Sequence, residues 1–90
     1  MWQNEGGGRK LAPMRHFKTL QASLSKNIKV RRAELAMSQE SLAFKSGTER
    51  GQISQIERKL ANPTIKTVHA IAEALGTDAA HLLADRPMDW

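Results

Sequence analysis

Residues 38–58 read SQESLAFKSGTERGQISQIER, and the rest of the chain is organised around them. The stretch holds two short amphipathic patterns, with Leu42 and Ala43 inward on the first and Ile53 and Ile56 inward on the second. Gly47 falls in the gap, where the turn needs a positive φ that glycine adopts without steric cost. Ser38 is suited to cap the first pattern, because its hydroxyl can accept from the free N–H groups of the following turn. This predicts one helix from Gln39 to about Ser46 and another from about Arg50 to Arg58, capped by Thr48 or Glu49. Gly51 lies inside the second at a cost of roughly 1 kcal/mol relative to Ala, so something other than helix propensity favours a missing side chain there.

Two helices joined in this way form a helix-turn-helix unit. Upstream of it, Phe17, Leu20, Leu24, Ile28 and Leu35 recur at helical spacing, with the aliphatic stem of Arg31 filling the gap. They predict a first helix from Phe17 or Ser23 to Leu35. Residues 1–16, with Gly6-Gly7-Gly8, Arg9 and Lys10, read as a flexible basic leader. Downstream, Thr64 caps a fourth pattern with Ile65, Val68, Ile71, Ala72 and Leu75 on one stripe, ended by Gly76. Asp78 caps a short fifth, Ala79 to Ala84, which returns Leu82 and Leu83 to the core. The expected domain is thus 17–85, with a tail at 86–90 in which Trp90 is a large surface for an unpartnered end. The fold class is all-α, a compact five-helix bundle.

Ninety residues suit one small core. The chain has no cysteine and only three scattered histidines, which excludes disulfides and gives no ligand cluster for a metal. No apolar run has the length of a membrane span and no secretory h-region opens the chain, so a cytoplasmic protein is expected. The formal net charge is +5, and the stretches 1–22, 23–36, 37–60 and 61–90 carry +3, +3, +1 and −2. The basic half is what a surface facing a polyanion requires, although basic residues also solubilise small proteins.

The order of five helices and the residues within them resemble the Cro/repressor-type (XRE-like) helix-turn-helix family of prokaryotic and phage transcriptional regulators. The resemblance rests on Asn27-Ile28-Lys29, Ser38-Gln39-Glu40, Leu42-Ala43, Gly47, Ile53-Ser54-Gln55-Ile56-Glu57-Arg58, Asn62-Pro63-Thr64 and Ile71-Ala72-Glu73-Ala74-Leu75-Gly76, and covers about residues 24 to 83. It implies a lambda-repressor-like domain that lays its third helix in the DNA major groove, usually as a two-fold dimer. Gln39 matches a position that touches phosphate and braces the recognition helix. Glu49, Arg50, Gly51 and Gln55 match positions facing bases or adjoining backbone, with Gln52 and Ser54 at the margin. Arg suits guanine O6 and N7 and Gln suits adenine N6 and N7, which makes Arg50 and Gln55 the principal readers. Arg32 and Glu57 match a buried ion pair joining the first helix to the end of the third; otherwise Glu57 is a solvated helix-end acid.

The chain also departs from that pattern. Gly51 removes a side chain from a reading position, and Glu49 puts a carboxylate near phosphate unless Arg50 or a cytosine amino group engages it. Ala36 and Lys59 stand where a helix-ending glycine is usual, which demands other geometry or strain. Leu60 and Ala61 replace residues that are often basic. Candidates for backbone contact are Ser38, Gln39, Lys29, Lys45, Arg58 and Lys59, with Lys26 and Arg31 beside them.

No catalytic constellation is present: His16, His69 and His81 lack partners spaced for acid and base work, and Gly6 to Gly8 lack the flanking strand, Lys and Ser/Thr of a phosphate loop. Neither an enzyme nor a cofactor is expected. The expected function is a sequence-specific DNA-binding transcriptional regulator, a repressor or autoregulator that occupies an inverted-repeat operator on double-stranded DNA as a homodimer. Leu82, Leu83 and Trp90 are candidates for the dimer surface. The alternative is an antitoxin-like or adaptor module whose work is protein contact.

Overall fold

In a computed structural model, which describes residues 13–85, those residues form five helices. They are α1 (Pro13–Glu34), α2 (Gln39–Ser46), α3 (Arg50–Glu57), α4 (Ile65–Ala74) and α5 (Ala79–Leu83). Among the described residues there is no strand, and no helix is long and apolar enough to cross a membrane. The leader proper and the tail with Trp90 lie outside the described residues.

Four of the five helices begin within a residue of their expected positions, and for α2, α4 and α5 the cap is explicit in the sequence. The Oγ of Ser38 accepts from the N–H of Ser41 at 3.0 Å, that of Thr64 from Thr67 at 3.1 Å, and the Asp78 carboxylate from His81 at 2.9 Å. That backbone N–H, joined by the His81 ring, holds the Asp78 carboxyl below the usual carboxylate range. The exception is α1, which opens at Pro13, before the Phe17 or Ser23 start expected and inside the stretch assigned to the leader. Proline's fixed φ and missing N–H suit the first helical position.

Helices α1 to α4 all close with an i→i−5 bond: Met37 N–H to Arg32 O at 2.8 Å, Thr48 to Ala43 at 3.0 Å, Leu60 to Gln55 at 2.8 Å and Thr77 to Ala72 at 2.9 Å. The bond needs a left-handed residue just before it. Gly47 provides one at φ 69°, but Ala36 and Lys59 are forced to φ 53° and 63°. Both departures from the usual glycine are therefore met by strain rather than by another turn geometry. Ala36→Gly should raise the unfolding free energy by roughly 0.5 to 1 kcal/mol, read as a higher urea midpoint, since relief of the left-handed strain outweighs the added freedom of the unfolded chain.

The core gathers Leu24, Ile28, Leu42, Ala43, Ile53, Ile56, Val68, Ile71, Ala72, Leu75 and Leu82. Three positions expected inside are not. Leu20 is 46% and Leu35 40% exposed because α1, with 22 residues, outruns the helices of 5 to 10 residues that cover it. Ile65 is 84% exposed because helical side chains lean toward the N-terminus, so that of a first residue overhangs its own helix. Leu82 is fully buried, which removes it from the dimer surface proposed for it; only Leu83 of that set among the described residues keeps part of its surface.

Candidate nucleic-acid interface

Eight residues are too few to hold α3 as a helix alone, so its geometry is imposed by what it packs on. Ile53 and Ile56 are 0% and 2% exposed beneath it. Its last turn is anchored twice to α1. The Ser25 hydroxyl, itself buried, donates to the Glu57 carbonyl at 2.5 Å. The Arg32 guanidinium grips the Glu57 carboxylate through two parallel bonds, Nε to Oε2 at 2.6 Å and Nη2 to Oε1 at 2.8 Å. Glu57 keeps 5% of its side-chain surface and Arg32 19%, so the pair is shielded from solvent and the reading of Glu57 as a solvated acid is excluded. The bonded carboxylate pushes the Arg32 pKa up from its already high value, against the opposing effect of burial.

The same carboxylate serves α2. Gln39 Nε2 donates to Glu57 Oε1 at 3.0 Å, and Arg32 Nη1 donates to the Met37 carbonyl at 2.9 Å in the approach to α2. One acid thus fixes the start of α2 and the end of α3 to α1, and Gln39 has the bracing role its position implied.

Opposite this anchored side, the outward face of α3 presents Gly51, Gln55 and Arg58 at i, i+4 and i+7, all exposed. Arg50 and Glu49 are exposed at its start, while Gln52 and Ser54 flank the face half-buried. Glu49 is the N-cap residue but makes no side-chain capping bond. Neither its side chain nor that of Arg50 has a hydrogen bond or ion pair with a described residue, so Arg50 does not engage the Glu49 carboxylate. Arg50 shares a shallow depression with Ser38, Gln39, Glu40 and Arg32, which joins the starts of α2 and α3 in one surface. Lys45 is exposed in the last turn of α2, and Arg58 and Lys59 are exposed just past α3. Lys29 is exposed on α1.

Arg31 does not belong with these cations. Its Nε donates to the Leu75 carbonyl at 2.8 Å and its Nη1 to Glu34 at 3.2 Å, so it caps the end of α4. Among the described residues no group of three His, Cys, Asp or Glu could hold a metal ion.

Residues 28–82 match the Helix-turn-helix family HTH_3. The chain belongs to this family. Among its helix-turn-helix relatives is a hypothetical transcription factor of Neisseria meningitidis serogroup B, 38% identical over 64 residues, or 71% of this chain and 60% of the relative. The chain thus corresponds to less than two thirds of that protein. Control protein C.SmaI of Serratia marcescens is 37% identical over 67 residues, covering 74% of this chain and 80% of that one. In three dimensions the chain is similar to the wild-type restriction-modification controller protein C.Esp1396I, with a TM-score of 0.65 and 40% identity over 70% of this chain and 82% of that one.

Two functional supports of the helix-turn-helix unit escaped the sequence reading, the Ser25 bond to α3 and the role of Asn27. The Asn27 amide donates to the carbonyls of Leu82 and Ala84, each at 2.9 Å, and so latches the end of α5 to α1. Both residues flank the inward stripe of Leu24 and Ile28 and are almost fully buried. Polar residues beside such a stripe were the available signal, since burial there requires a hydrogen-bond partner.

Proposed function

We propose that the chain is a sequence-specific DNA-binding transcriptional regulator, a repressor or autoregulator that occupies an inverted-repeat operator as a homodimer. One observation carries the reading: Glu49, Arg50 and Gln55 stand exposed at the start and along the outer face of α3, whose last turn is tied to α1 and α2. Such side chains are unspent hydrogen-bonding capacity on a rigid support. We assign Arg50 to guanine, Gln55 to adenine and Glu49 to a cytosine amino group, pairings that each give about 1 to 3 kcal/mol of discrimination. Gln39, Ser38, Lys29, Lys45, Arg58 and Lys59 supply phosphate contacts. Paired recognition helices would meet half-sites about 34 to 36 Å apart. Leu83 lies in an apolar groove with Phe17, Leu20, Pro63 and Ile65, which is the face we assign to the second protomer. A cytoplasmic location and the absence of enzymatic activity follow from this reading.

Footprinting on duplex DNA enriched from a random pool, across a salt series, should show protected half-sites and a preference of at least about a thousandfold over scrambled duplex. Equal affinity for both at every salt concentration defeats the reading. Gln55→Ala should alter the preferred base at particular positions. Lys29→Ala should weaken every duplex alike and lower the salt slope by about one.

A second reading, an antitoxin-like or adaptor module, is favoured by Phe44, which is 89% exposed on α2 beside Lys45. A large apolar side chain left in water suits protein contact. This reading requires a chain that fails to bind duplex even at low salt.

A further inference from the structure

Gly51 has no evident purpose inside the protein. Glycine in a helix interior costs roughly 1 kcal/mol relative to alanine, and α3, with only eight residues, has little helical stability to lose. Backbone conformation does not require it, since the positive-φ glycines among the described residues are Gly47 and Gly76. Packing does not require it either: a Cβ built at Gly51 meets nothing within 4 Å. The residue is the second of α3, on the outward face in line with Gln55 and next to Arg50, on the side away from the buried Ile53.

A residue that is costly to the helix and unneeded by the fold acts on something outside the chain. Resting on the reading of α3 as the element that enters DNA, we infer that Gly51 is the point where the α3 backbone itself lies against the floor of the major groove, closer than any side chain would permit. Glycine allows such an approach because it carries no Cβ. Its absence brings the short side chain of Ser54 and the flanking Gln52 within reach of base edges that a helix held further out would leave to Arg50 and Gln55 alone. Gly51 is thus a specificity-determining position through its depth, although it offers no group to a base.

The inference sets stability against affinity. Gly51→Ala should raise the thermal midpoint, because the added methyl enters open space and helix propensity improves. The same variant should bind duplex enriched by the wild-type chain at least tenfold more weakly, with affinity for a scrambled duplex changed less than twofold. Gly51→Ser should likewise bind more weakly, which separates depth from the added apolarity of the alanine methyl. Unchanged or tighter specific binding by Gly51→Ala, with the wild type still discriminating, overturns this inference and leaves the proposed function standing. A lowered thermal midpoint also overturns it, since Gly51 would then serve the fold. A wild-type chain without sequence preference removes the proposed function first and this inference with it.

Discussion

Cutting Glu57 back to alanine is expected to cost the fold about 3 to 5 kcal/mol, a large part of the roughly 5 to 15 kcal/mol that holds such a domain together. The cost comes from what is left behind. Arg32, with 19% of its side chain exposed, would lose both carboxylate bonds while its charge stayed largely away from water. Gln39 would lose its acceptor at the same time, and α2 and α3 would lose their common tie to α1. Urea unfolding followed by circular dichroism measures the loss, and a decrease below about 1 kcal/mol would refute the buried pair as the fixing point. Because the carboxylate is shielded, the loss should persist at high salt, unlike that of a surface pair. Replacing both partners with apolar residues, as in Arg32→Met with Glu57→Leu, should recover most of the stability. Binding need not recover with it, since the pair's role is to set the position of α3.

Leu82→Ala is expected to cost about 2 to 5 kcal/mol, the range for deleting a large aliphatic side chain from a closed core. Leu82 has no exposed surface, and the carbonyl of the same residue holds one of the Asn27 bonds, so neighbouring atoms have little room to close the cavity. The loss should be independent of protein concentration, because it arises within one protomer. A dimer contact would instead make the midpoint depend on concentration. The same loss relative to wild type at every concentration thus confirms a core role, whereas a cost that appears only at dimer-forming concentrations would return Leu82 to the interface.

The difference between these two residues shows what could be read in advance. Glu57 was legible because the family pattern that names it also names its partner, Arg32, whereas spacing alone left it open as a solvated helix-end acid. Leu82 was placed in the core by spacing and was also offered as a dimer contact, since spacing gives a side chain's direction but not how much covers it. The same limitation explains Leu20, Leu35 and Ile65, apolar residues at good helical positions on parts of helices that extend past their neighbours. Caps were read well because they depend on a few adjacent residues: Ser38, Gly47, Thr64 and Asp78 all act as expected. The start of α1 is hidden in the sequence because a proline closing a glycine-rich stretch reads as loop, though it also suits a helix start. Of the candidate interface, the membership of α3's outward face was legible; the freedom of Glu49 from Arg50, the service of Arg31 to α4 and the empty space around Gly51 required three dimensions.

The shortness of α3 has a consequence for how binding would be measured. Because the reading surface is ordered only while Ile53, Ile56, Ser25, Arg32 and Gln39 hold it, the entropy of ordering it is lost during folding and not again on contact with a ligand. That preorganisation favours tight association, but it also ties recognition to the folded fraction. Apparent affinity equals intrinsic affinity scaled by the share of molecules that are competent, so a core variant that leaves a tenth of the chains folded would look like a tenfold binding defect without touching a single reading residue. Affinities of variants are therefore comparable only after division by their folded populations, and substitutions buried beneath α3 will imitate those on its surface wherever this correction is omitted.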